Sequence, residues 1–222
     1  MSVRWRSATV IGFAIAMAYL EAAVVVYLQR ALDITPEHLF PLRGPDLVGD
    51  LAAIEVGREF ATLVMLVGIG CLAGRTWLER LAWTAVAFGV WDIFYYAWLW
   101  VFVGWPDSPA TWDVLFLIPV PWTGPVWAPA TVSAALISFG LAAARRLDAG
   151  SPVRADLSSL LLGVTGGLLV VLSFTLDAAD IMAGRMPGWY PWPVFAAGMV
   201  LAAWGAARAL GPRDALDLAA RN

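Results

Sequence analysis

Six apolar runs, at about residues 7–28, 51–73, 81–103, 126–144, 157–177 and 189–208, decide what this chain can fold into. Each approaches the roughly 20 residues that a helix needs to cross the hydrocarbon core of a bilayer. Inside that core only helices and closed barrels satisfy every backbone polar group. The expected fold is an all-α membrane protein, a bundle of about six transmembrane helices forming one polytopic domain over residues 1–222. Charge content agrees, since 14% of residues are charged against about 25% in soluble domains. The first run also has a signal-peptide reading with cleavage near Ala16-Met17-Ala18. A retained helix is expected instead, because the run continues well past the roughly 7–15 residues of a signal core.

Orientation follows from arginine, because the chain has no lysine. With alternating spans, Arg4, Arg6, Arg75, Arg80, Arg145, Arg146, Arg154, Arg208, Arg213 and Arg221 fall on one side, and only Arg30, Arg43 and Arg185 on the other. The positive-inside rule then makes both termini cytoplasmic in a bacterial-type inner membrane, and favours an even number of spans.

Against this apolar background, the stretch Asp50 to Thr62 stands out. Glu55, Glu59 and Thr62 share one helical face, with Arg58 beside them, so the carboxylates and the guanidinium can partner one another. The expected pairing is Arg58 with Glu59. A charge near the bilayer centre costs at least roughly 2.5–3.5 kcal/mol, so such residues face a bundle interior and mark function. Glu21 in the first run and Asp92 in the third have no basic neighbour in sequence, and Tyr96 lies one turn from Asp92, where its hydroxyl can reach a carboxylate. Tyr95, Asp113, Asp177 and Asp180 are secondary candidates, the last two on one face with Ser173. On the expected topology these acids converge in the outer half of the bundle and leave the cytoplasmic half nearly uncharged.

Residues 104–129 mix apolar residues and tryptophans with prolines that forbid a continuous helix. They read as an external or re-entrant cap between the third and fourth helices. Gly70 with Gly74, and Gly163 with Gly167, have the spacing of close helix contacts.

Charge counting then limits the chemistry. Glu21, Glu55, Glu59 and Asp92 against Arg58 require protons, a metal ion or a cationic ligand. Protonated carboxyls are the material of proton relays and proton-coupled carriers. A hard divalent cation would suit carboxylate ligands. The single histidine, His38, reads as a solvated loop residue, and the single cysteine, Cys71, as a small packing residue. Zinc, histidine-ligated di-iron, haem and iron–sulfur clusters are therefore not expected. The net charge of −3 argues against nucleic acid. No nucleophile elbow, metalloprotease motif or phosphate-binding glycine loop is present.

Three readings remain open. In the first, the chain binds or transports a cation or a proton-coupled small solute. In the second, it is a membrane-embedded enzyme whose paired carboxylates act on a lipid or isoprenoid. In the third, it is a non-catalytic accessory subunit, with its 13 tryptophans facing lipid or pigment. The bilayer is a partner in each, and a homo-oligomer or a larger complex is compatible with all three.

Overall fold

Thr76 and Gly104 fix the ends of the helix on which the bundle is built. The Thr76 hydroxyl accepts the Glu79 amide at 3.2 Å, satisfying an otherwise unpaired N–H of the first turn. Gly104 closes the helix in the left-handed conformation at φ 70°. Between them runs α3 (Trp77–Val103), which packs against α1 (Val3–Ala31), α2 (Pro45–Ala73) and α4 (Trp127–Asp148). This computed structural model describes residues 2–31, 45–153, 155–183, 185 and 187–211, and side chains of α2 from residue 53 onward. His38 lies outside the described residues, as does the side chain of Asp50.

Two further long helices form a separate pair, α5 (Leu157–Thr175) and α7 (Trp192–Leu210). The fifth apolar run extends beyond its expected end, because the chain breaks only briefly after Thr175 and resumes as α6 (Ala178–Met182). Among the described residues, six helical segments are long and apolar enough to cross a membrane, as in a multi-pass helical membrane protein.

The expectation of an all-α chain needs one correction. Two strands, β1 (Trp112–Phe116) and β2 (Trp122–Pro125), form an antiparallel hairpin between α3 and α4. Pro119, Pro121 and Pro125 lack the N–H that a helix would need, and the extended segments around them pair with each other instead. A register irregularity between Val114 and Phe116 leaves Leu115 without a cross-strand partner. The hairpin bridges the two halves of the molecule. At Gly124 a Cβ would lie 2.9 Å from the Tyr190 ring and 3.1 Å from the Phe174 ring, so the missing side chain lets β2 sit close against α5 and the segment leading into α7.

Glycine also sets the helix spacing, though not wholly where the motif spacing predicts. Gly70 fits the expectation, since a Cβ there would collide with the Thr84 backbone of α3. In α5, however, Gly163 and Gly167 face open space, and Gly166 makes the close approach to Gly198 and Ala202 of α7. Ridge packing here follows the face that meets α7, one residue away from the i, i+4 pair. The freed face lines a cavity of about 420 Å³ between α3 and α4 on one side and α5 and α7 on the other.

Candidate functional site

Gly89 is where the site begins. A Cβ on it would sit 2.5 Å from the Ser133 carbonyl, so its absence lets α4 close onto α3. One turn further along α3, the Ser133 hydroxyl donates to Asp92 at 2.8 Å. Asp92 and Ser133 are 7% and 1% exposed, which makes this hydrogen bond a requirement for burying the carboxyl. Tyr96 does not donate to Asp92, as its helical spacing suggests. Its hydroxyl reaches Asp113 on β1 at 2.9 Å, because the hairpin lies over this end of α3 and offers a carboxyl on the line of the phenol.

The Asp50 to Thr62 stretch contributes the opposite wall. Arg58 of α2 donates to Glu55 through Nε at 2.9 Å and through a terminal nitrogen at 2.7 Å, and forms an ion pair with Glu21 across on α1. Thr62 donates to the same Glu21 carboxyl. The expected Arg58–Glu59 pair is not formed. Adjacent helical positions diverge by about 100°, so Glu59 points past Arg58 to the hairpin. There both carboxyl oxygens accept the Leu117 amide, at 2.9 and 3.0 Å. Glu59 thus satisfies a strand-end N–H that the hairpin leaves unpaired.

These groups enclose a polar cavity of about 50 Å³, lined by Glu21, Arg58, Glu59, Thr62, Asp92, Tyr95, Tyr96 and Asp113 together with Trp91 and residues 114–116 of β1. Glu55 stands behind Arg58, outside the lining. Tyr95 is on the wall, stacked on Trp91 with ring centroids 6.2 Å apart. Asp177 and Asp180 do not join the site. Asp180 pairs with Arg185 at an exposed position, and Ser173, the third member of their predicted face, turns inward to the Tyr190 hydroxyl at 3.0 Å. The break after Thr175 separates these positions from the helical face they were expected to share.

Four carboxyls, those of Glu21, Glu59, Asp92 and Asp113, therefore line one cavity with the Arg58 guanidinium, and a fifth, Glu55, pairs with it from outside the lining. Fully ionised they would carry an excess of four negative charges. Coulomb energies in a low-dielectric interior forbid this unless a proton or a cation is taken up. On the hairpin, burial pushes the Asp113 carboxyl up to about 7 against the opposing influence of the Tyr96 and Val114 hydrogen bonds, and the neighbouring Asp92 charge adds to the rise. Each acid has its own partner, and among the described residues no three Asp, Glu, His or Cys side chains come together as a metal-ligand set.

Reasoning from the sequence did not find Ser133, Trp91 or the Leu117 amide. A serine in an apolar run was the available signal for the first, shared with Ser138 of the same run, while the amide carries no side-chain signal at all. The opposite end of the bundle corrects a further expectation, since it is not nearly uncharged. Arg6 of α1, 4% exposed, donates to Glu79 at 2.7 Å and to the Ala73 carbonyl at 3.3 Å, and pairs with Asp148 of α4.

The fold and site together define a multi-pass helical membrane protein with a buried, acid-rich chamber closed by a β-hairpin. No family model matches the chain, and neither a curated protein nor a solved structure matches it.

Proposed function

We propose that this protein takes up a proton or a small monovalent cation in the acid-rich chamber, as a carrier or binding protein for a cation or a proton-coupled solute. The observation that carries this reading is the set of five carboxyls around Arg58, four of them lining a cavity of about 50 Å³. A water needs roughly 10–15 Å³ of such volume, so the chamber suits a few waters or one small ion and is too small for an organic solute. Protons answer the charge excess without the multidentate oxygen set that a divalent ion demands. The Glu59 and Asp113 contacts tie the hairpin to α2 and α3, so protonation at either position would loosen or tighten the lid of the chamber.

The arginine distribution supports a cell-membrane protein with cytoplasmic termini, which puts the chamber and hairpin toward the external side. In proteoliposomes loaded with a pH-sensitive dye, the wild type is expected to move protons or to respond to an imposed pH gradient. Asp92→Asn and Glu59→Gln should each abolish that response. Flux that persists in both variants would overturn the reading. Acid–base chemistry on a lipid is the second reading, favoured by Asp92, Leu115 and Phe116 each lining both the polar chamber and the large apolar cavity. Turnover of extracted lipid without flux would replace the first reading with the second.

A further inference from the structure

The cavity of about 420 Å³ falls within the roughly 300–1,000 Å³ typical of small-molecule sites. It differs in kind from the acid chamber. Phe88, Leu136, Val170 and Met199 give it an apolar wall, and Gly163 and Gly167 face it with nothing opposite them. Its lining offers water few hydrogen-bonding partners. At its boundary with the acid chamber it meets Asp92 and Ser133, and on the hairpin side Trp122, whose buried indole N–H has no hydrogen-bond partner. Trp83 and Trp91 also bury indole N–H groups without an acceptor, but of the three only Trp122 lines this cavity, where a bound polar group could satisfy the donor.

We propose that this cavity binds the hydrocarbon chain of a membrane lipid, acyl or prenyl, that ends in an uncharged hydroxyl or carbonyl. The chain lies along the glycine face of α5, and the terminal oxygen accepts from the Trp122 indole. A hydroxyl end can in addition donate to Asp92. The charge balance selects the end group, because the neighbouring acids outnumber Arg58 and disfavour a phosphate or carboxylate. Glycine at 163 and 167 has a reason on this account, since larger side chains would occupy the space of the chain. The proposal does not depend on proton uptake by the acid chamber, which Gly167 does not line.

The test uses full-length protein, delipidated in mild detergent and transferred to amphipol, with geranylgeraniol, hexadecanol and hexadecanoate as probes. Either alcohol is expected to raise the melting temperature, and hexadecanoate at neutral pH to raise it less. Which alcohol acts more strongly separates a prenyl from an acyl source. Gly167→Leu fills the cavity without a backbone clash, so it should melt higher than the wild type and lose the response to alcohol. Ala135→Phe serves the same purpose should Gly167→Leu not fold. Absence of any alcohol response in the wild type, or an undiminished response in a folded cavity-filled variant, would overturn the proposal. The proteoliposome measurement above is scored separately, so failure here leaves the proton reading standing.

Discussion

Two groups of buried charge lie on α1, about 22 Å apart along its axis at Arg6 and Glu21, and they are built on different rules. At Arg6 one guanidinium meets Glu79 and Asp148 while also donating to the Ala73 carbonyl. The Glu79 carboxyl accepts from the Arg75 amide as well, at 2.9 Å. Both carboxyls there contact the guanidinium, although Arg6 Nε itself has no hydrogen-bond partner, and the group ties together the ends of α1, α3 and α4. At Glu21 the arginine is shared with Glu55, and three further carboxyls nearby, Asp92, Glu59 and Asp113, are answered by neutral donors alone, from Ser133, Leu117 and Tyr96. A matched cluster acts as a clamp. An unmatched one is short of positive charge, and on the proposed reading it takes up protons or ions from its surroundings.

The largest effect should come from breaking the clamp. Arg6→Met leaves Glu79 buried without its cation, a change that typically costs about 3–5 kcal/mol. Thermal unfolding in detergent is expected to show a large drop, with proton uptake per folded molecule unchanged. A drop no larger than that of Arg185→Ala, at an exposed ion pair, would remove the clamp from the account. Next in size is Glu59→Ala, which strands the Leu117 amide and should cost about 1–3 kcal/mol. Its specific readout is faster hydrogen exchange at Leu117 with the α1 and α3 amides unaffected.

A double-mutant cycle then sharpens the contrast inside the chamber. Arg58→Ala with Glu21→Ala should show coupling within the roughly 0.5–3 kcal/mol seen for contacting residues, and more than Arg58→Ala with Glu59→Ala. Stability loss measured by denaturant titration checks it, and the reverse order would restore the Arg58–Glu59 pair.

The most diagnostic effect is the pH dependence at Asp113. Its folded value of about 7 lies above the roughly 3.9 of an unfolded aspartate, so the folded state holds the extra proton between these limits. Stability from this group is fully present below about 4 and is lost as pH rises through about 7. Asp113→Asn should therefore flatten the profile, matching the wild type in acid and exceeding it above neutrality. Parallel profiles for the two proteins would show that Asp113 is already ionised in the fold.

Much of this architecture was readable from residues alone because a bilayer imposes a length and a polarity that few sequences meet by accident. The six spans and the burial of Glu21, Glu59 and Asp92 follow from that constraint. Which group answers each acid was not readable. Tyr96 and Glu59 both look, on a helical wheel, as though they should pair within their own helix, and both reach instead to a hairpin that proline content alone did not predict. The Arg6 cluster was hidden for a related reason. Its members are 73 and 142 positions from Arg6, and Arg6 by itself looks like an ordinary flanking charge. Gly166 was passed over because spacing rules identify a face without saying which partner it meets.

The central claim is that the chamber acids cannot all be ionised in the folded protein. Difference infrared spectroscopy of the protonated carboxyl stretch, on metal-free protein at neutral pH in nanodiscs, measures this directly. The account predicts a protonated carboxyl band that weakens in Asp92→Asn and in Asp113→Asn and is unchanged in Asp180→Asn. A spectrum showing only ionised carboxylates at neutral pH, with no cation bound, would contradict it.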